Sequence, residues 1–159
     1  MARSPYITRE GYEALRRESE ALWQKRREVV QALAAAAAEG DRSENAEYIY
    51  RKKQLRELDR RIRYLQKRLP ELKPVPGRPD DCDRVYFGAW VILEDAAGET
   101  MELRIVGADE FDPARNWISV DSPMARALLG RALDDEVSVR TPAGLQRWTI
   151  LEVRYEAPD

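Results

Sequence analysis

Two stretches of this chain carry the same apolar rhythm, and a glycine stops the first before the second begins. On the second stretch, Tyr48, Leu55, Leu58, Ile62, Leu65, Leu69 and Leu72 follow alternating steps of three and four, with Arg51 as the one polar interruption. The first stretch repeats the pattern with Tyr12, Leu15, Ser19, Leu22, Val29, Leu33 and Ala36, broken once at Arg26. Apolar residues at this spacing form the seam of a coiled coil. Gly40 is a natural helix stop, and the short turn after it forces the two arms antiparallel. Thr8, followed by Arg9-Glu10-Gly11, makes a helix start near residue 8. The first arm then runs about 30 residues, or roughly 45 Å at 1.5 Å per residue.

The bend itself reads Gly40-Asp41-Arg42-Ser43-Glu44-Asn45-Ala46-Glu47-Tyr48. Acid groups at the far end of a long projecting helix contribute little to folding there, so Asp41 and Glu44 point to a target on another molecule. A capping box offers a second account, with Asp41 as N-cap of the second arm and Glu44 reaching back from the third position. Acids also favour the positive end of a helix dipole. Ser43 can itself be the N-cap and leave Asp41 in the turn, and the spacing leaves both arrangements open. The run Ala34 to Ala38 just before the bend makes the distal hairpin strongly helical and thin, since alanine combines high helix propensity with small girth.

Charge divides the chain. Residues 1–75 hold 18 Lys and Arg against 12 Asp and Glu, whereas residues 76–159 hold 9 against 17. The basic excess is concentrated from Arg51 to Arg68, and Lys52, Arg56, Arg60, Arg63 and Lys67 recur at steps of three or four, along one side of the helix. Such a cationic track suits a phosphate backbone; a solvated coiled-coil flank is the alternative, although flanks of that kind usually mix signs.

Histidine is absent and Cys82 is the single cysteine, which excludes an internal disulfide, a Cys-His nucleophile and a Cys/His zinc site. The eight glycines are scattered, so no phosphate-cradling loop is present. Asp and Glu remain as acid-base or metal-binding groups, and the ion they favour is a hard one such as Mg²⁺. Two carboxylates at a tip cannot complete an octahedral site but could complete one begun by another molecule. No apolar run approaches the ~20 residues of a membrane span, and the N-terminus lacks a signal-peptide core. A cytoplasmic, monomeric protein is expected.

Pro70 and Lys73-Pro74-Val75-Pro76-Gly77-Arg78-Pro79 end the second arm. The expected organisation is a coiled-coil domain over 1–75, a linker over 76–84 and a globular domain over 85–159. Strands are expected at 85–87, 89–94, 100–106, 117–120, 136–141 and 146–155, with turns at Asp95–Gly98 and Pro142–Gly144. One short helix is expected, with Ser122 as N-cap, Pro123 at the first helical position and Gly130 as the stop. Trp90, Trp117 and Trp148 are assigned to the core of this domain, in preference to a ligand box.

Ile7-Thr8-Arg9-Glu10-Gly11-Tyr12, the segment Gly40 to Tyr48, Lys52-Lys53 and Arg60-Arg61-Ile62-Arg63-Tyr64-Leu65 together resemble bacterial transcript cleavage factors of the Gre family, in its GreB branch. Beyond the linker, Val85-Tyr86-Phe87-Gly88-Ala89-Trp90-Val91, Arg104-Ile105-Val106-Gly107 and the run from Ile118 to Leu129 resemble that family's C-terminal domain. The resemblance implies an α+β protein: an antiparallel coiled coil followed by a small domain similar to FK506-binding proteins. It implies a protein cofactor, not an enzyme, that binds bacterial RNA polymerase and inserts the coiled coil through the secondary channel. Asp41 and Glu44 would then be the tip acids, helping to hold a second Mg²⁺ and orient a water for hydrolysis of backtracked RNA. Arg51, Lys52 and Lys53, continued by Arg56 and Arg60, would meet the nascent RNA 3′ segment, and Asp121, Ser122 and Pro123 would lie in the polymerase-docking region. A non-cleaving regulator of the same channel is the alternative on this fold, and an arm that binds structured RNA independently of polymerase is a third.

Overall fold

The computed structural model describes residues 3–40 and 45–157. The chain divides into two compact units: one formed by Tyr12–Glu71, the other by Met1–Gly11 together with Leu72–Asp159.

The Tyr12–Glu71 unit is built from α1 (Arg9–Ala37), whose first turn belongs to the other unit, and α2 (Ala46–Arg68), closed by a 3₁₀ turn at Leu69–Glu71. Its arms are antiparallel, because Glu18 meets Arg61, Arg26 meets Asp59 and Ala36 meets Asn45. Every seam position expected from the sequence between Tyr12 and Leu69 is buried or half-buried, including the two arginine interruptions. Val29 and Leu65 are almost fully enclosed. Arg26 is tolerated in the seam because its Nε donates to Asp59 Oδ1 at 2.6 Å on the opposite arm. Arg51 instead turns along its own helix, with Nε donating to Glu47 at 2.7 Å and a terminal nitrogen to Gln54 at 3.0 Å. α1 stops at Ala37, three residues before Gly40, and Gly40 takes φ +134°, a region only glycine enters without strain.

The second unit rests on a five-stranded sheet. Strands β3 (Trp90–Asp95), β4 (Thr100–Val106), β5 (Trp117–Ser119), β6 (Glu136–Thr141) and β7 (Gly144–Arg154) lie in the order β5-β4-β3-β7-β6. All neighbours are antiparallel except β4 and β5. Inward positions alternate: Val91 and Leu93, Leu103 and Ile105, and Val137 are buried, as a sheet with one covered face requires. The helix α3 (Pro123–Leu128) adds Ala125 and Leu128 to the same core. It begins as expected, with Ser122 Oγ accepting from the Ala125 amide at 3.3 Å and Pro123 at the first position. A bulge at Leu151 shifts the β3–β7 register between Ile92 and Leu93 and lets the eleven-residue β7 bend.

Three expectations change. Val85–Phe87 form no strand: Val85 is buried, but only Arg84 makes a bridge, to Ala132. Two short strands went unanticipated, β1 (Tyr6–Thr8) and β2 (Lys73–Val75), which pair in parallel as Tyr6↔Lys73, Ile7↔Pro74 and Thr8↔Val75. The start of the chain and the segment read as the end of the coiled coil therefore both join the C-terminal unit. Finally, Trp148 packs on the core, whereas Trp90 and Trp117 lie outside it.

Glu110 ties the N-terminal strand to this unit. Its carboxylate accepts from the Thr8 amide at 3.0 Å, the Gly107 amide at 2.8 Å and the Thr8 hydroxyl, while Thr8 Oγ1 accepts from the Gly11 amide at 3.0 Å and so caps α1. Both glycines leave room for this knot. A Cβ on Gly11 would stand 2.0 Å from Glu110 Oε1, and one on Gly107 2.3 Å from the Tyr6 carbonyl oxygen.

Candidate functional site

Asp41 and Glu44 lie outside the described residues, and so do Arg42 and Ser43. What borders them is defined. The N-cap of α2 is Asn45: its Oδ1 accepts from the Tyr48 amide at 3.1 Å, and its Nδ2 donates to the Ala36 carbonyl at 2.7 Å. Both capping arrangements open at the sequence level, with Asp41 or Ser43 as N-cap of the second arm, give way to Asn45. One asparagine thus starts α2 and closes the end of α1, a double role that needs both an acceptor and a donor on one short side chain.

From this cap the basic face of α2 runs along the hairpin. Lys52, Lys53, Arg56, Arg60, Arg63 and Lys67 are all exposed. Lys52 Nζ lies 5.9 Å from the Tyr48 ring, and Lys53, Arg56, Arg60, Arg63 and Lys67 have no ion-pair partner among the described residues. Arg51 differs, because Glu47 matches its charge. Arg61 is also committed: it grips Glu18 with two bonds, at 2.7 and 2.8 Å, and these hold the Glu18 carboxyl below its ordinary range. Exposed positive charge therefore lies in the row Lys52–Arg56–Arg60–Arg63–Lys67 with Lys53 beside it, and the inter-arm clamps use other arginines. Among the described residues no group of three or more His, Cys, Asp or Glu is placed to hold a metal ion.

In the sheet unit, Asp121, Ser122 and Pro123 form one short corner between β5 and α3. Asp121 Oδ2 accepts from the Ser4 amide at 2.9 Å, the Ser122 hydroxyl is spent on the helix cap, and Pro123 is exposed. These two bonds brace the corner as a ledge beside α3.

Sequence reasoning missed a further cluster. Trp90, Arg104 and Trp117 are direct cross-strand partners on β3, β4 and β5. The Arg104 guanidinium lies 3.8 Å from the Trp90 ring centre and 4.9 Å from that of Trp117. Burial pulls its pKa below the usual arginine range, and the Glu110 and Glu10 carboxylates partly counter this. Nearby, the Tyr155 hydroxyl donates to the Arg84 carbonyl and accepts from the Tyr86 amide at 2.8 Å, and burial pushes its pKa up to about 12. Only strand register aligns the three rung residues, and no local pattern in the sequence reports it.

Two family models cover nearly all of this architecture. The model described as transcription elongation factor, N-terminal, matches residues 5–73, and that described as transcription elongation factor, GreA/GreB, C-term, matches residues 79–155. The chain belongs to the GreA/GreB family of transcription elongation factors, as the motif resemblance implied. It is 58% identical to transcription elongation factor GreB of Yersinia pestis over 160 residues, covering 100% of this chain and 94% of the relative. Its identity to GreB of Pasteurella multocida is 57%, over 98% of this chain and 99% of that one. For GreB of Pseudomonas aeruginosa the identity is 59%, over 97% and 92%. Among the described residues no helix is long and apolar enough to cross a membrane.

Proposed function

We propose that this chain is a transcript cleavage factor: it binds bacterial RNA polymerase, reaches the active centre through the secondary channel, and stimulates hydrolysis of the 3′ segment of backtracked RNA. The observation that carries this reading is the Asn45 cap. With α2 started by Asn45, neither Asp41 nor Glu44 is required as its N-cap, so helix initiation gives no account of the two acids in the bend sequence.

The parts then divide the work. Asp41 and Glu44 would hold Mg²⁺ jointly with carboxylates of the polymerase, since this ion is commonly bound by one or two carboxylates with waters and phosphates. Bound there, the ion would lower the pKa of an attacking water and neutralise charge on the phosphodiester. The exposed row Lys52, Arg56 and Arg60, with Lys53 beside it, would guide the extruded RNA by its phosphates. Arg51 would act at one remove, its guanidinium held by Glu47 and Gln54. The ledge of Asp121, Ser122 and Pro123 would dock on the polymerase, its backbone fixed in advance by the Ser4 and Ala125 bonds. The isolated chain is expected to leave RNA intact.

The test is RNA cleavage in a stalled, backtracked polymerase complex, comparing the unaltered chain with the double variant Asp41→Asn, Glu44→Gln at matched occupancy. Shortening from the 3′ end by the unaltered chain alone is the expected result. Equal cleavage by both would remove the tip carboxylates from the mechanism, and none by either, with binding intact, would make the chain a non-cleaving regulator.

A further inference from the structure

The cleavage reading leaves the Trp90–Arg104–Trp117 rung without a role, yet a cavity of about 460 Å³ opens against it. That volume falls in the roughly 300–1,000 Å³ range of small-molecule sites. Besides the rung, Val75, Pro76, Phe87 and Tyr155 make its walls mostly apolar and aromatic, and Arg9, Glu10 and Glu156 add charge to the lining. A half-buried guanidinium in such surroundings needs a reason, because taking this charge even partly out of water costs free energy unless a partner offsets it.

Arg104 has part of one. Its Nε donates to the Gly88 carbonyl at 3.1 Å and its faces lie against two indoles. No carboxylate lies within ion-pair distance, and its terminal nitrogens have no acceptor among the described residues. The flat faces are satisfied and the outer edge of the fork is open. That edge matches a carboxylate, which two parallel N–H groups can grip at once. Glu110 and then Glu10, the latter also on the cavity wall, are near enough to feel the Arg104 charge without pairing with it. Both act as anions held at a distance, and of the two Glu10 lines the cavity.

We propose that this cavity binds a carboxylate carried on an apolar, aromatic-sized body, with the carboxylate on the open edge of Arg104 and the body against the aromatic walls. Two sources share that chemistry, a free aromatic acid and the C-terminus of a peptide ending in an aromatic residue. The site is independent of the tip and of RNA cleavage.

The chain's four tryptophans supply the assay. Trp90 and Trp117 belong to the rung, whereas Trp23 and Trp148 are not among the residues lining the cavity. Titration of the ¹⁵N-labelled full chain is read at the four indole N–H signals, with three probes: 4-phenylbutanoate, its neutral amide, and N-acetyl-Ala-Phe with a free C-terminus. The expected result is saturable movement of the Trp90 and Trp117 signals with either acid or both, and binding of the amide about tenfold weaker. Binding of the small acid alone identifies a metabolite-like ligand, and binding of the peptide alone a protein terminus. Arg104→Met should remove the preference for acid over amide. Glu10→Gln, at a position where no packing is lost, should tighten acid binding about twofold. Equal affinity for acid and amide, equal movement of all four indoles, or no saturable shift with either acid would overturn the proposal.

Discussion

Replacing Asn45 removes two bonds of different kinds, and the structure allows them to be separated. The Oδ1 acceptor caps the Tyr48 amide at 3.1 Å, a contribution of about 1 kcal/mol. The Nδ2 donor closes on the Ala36 carbonyl at 2.7 Å, worth about 1 kcal/mol net. Asn45→Ala loses both, so local opening of the first turn of α2 should become easier by about 2 kcal/mol, or roughly thirtyfold. Asn45→Asp keeps the acceptor and gains from the helix dipole but cannot donate to Ala36, so its loss should be about 1 kcal/mol or less, roughly fivefold. Native-state amide hydrogen exchange reads this directly at Ile49, whose amide donates to the Asn45 carbonyl at 3.1 Å in that first turn. Ile49 should exchange about thirtyfold faster in Asn45→Ala and about fivefold faster in Asn45→Asp, while Ile62, deep in the seam, keeps its rate. Equal protection in all three proteins, or an aspartate as damaging as alanine, would refute the double role.

Three further expectations follow from the same geometry. Glu18, with its carboxyl lowered by Arg61, stabilises the hairpin fully above its unfolded pKa of 4.5 and loses that contribution as pH falls through the lower folded value; the pair is half-exposed, so Glu18→Gln should cost less than about 1 kcal/mol at neutral pH and flatten the acid side of a melting-temperature profile. Gly107→Ala, with its new Cβ 2.3 Å from a backbone oxygen, should destabilise the sheet unit by about 1–3 kcal/mol in denaturant unfolding. Neutralising Lys53, Arg56 and Arg60 together should reduce the slope of log affinity against log salt for single-stranded RNA by about 2, while circular dichroism of the hairpin stays unchanged because none of the three has an ion-pair partner among the described residues.

Periodicity made the hairpin legible, since a coiled-coil seam depends only on spacing along each arm, and the positions from Tyr12 to Leu69 are covered as read. The strands from Trp90 onward and the Ser122–Pro123 helix start were legible for the same reason: alternation and capping are local signals. What escaped depends on residues far apart in the chain. Lys73-Pro74-Val75 is proline-rich and reads as the end of the second arm, yet as β2 it donates from Lys73 to the Pro5 carbonyl at 2.8 Å, a partner 68 positions earlier. Val85–Phe87 has the composition of a strand, but the Val85 and Gly130 backbones bond to each other's neighbourhood in a loop pairing instead. Asn45 was overlooked as the cap because Asp41 and Ser43 are equally good capping residues, and the choice among them rests on the Ala36 carbonyl across the bend. Hydrophobicity alone assigns Trp90 and Trp117 to the core, although β3 and β5 set them on either side of Arg104 on β4, on the face opposite Val91 and Leu103.

The parallel pairing of β1 with β2 makes the hairpin an insertion: the chain leaves the sheet unit after Gly11, just past β1, and returns to it at Leu72, just before the neighbouring strand β2. Exit and return points fixed side by side impose no demand on how much chain runs between them. Whole heptads could be added to or deleted from both arms together, lengthening or shortening the reach without moving a residue of the sheet unit. The same layout orders events during synthesis. β1 is made before the hairpin but has no partner until residue 75 has left the ribosome, so the sheet unit is completed only after the hairpin's own contacts are available.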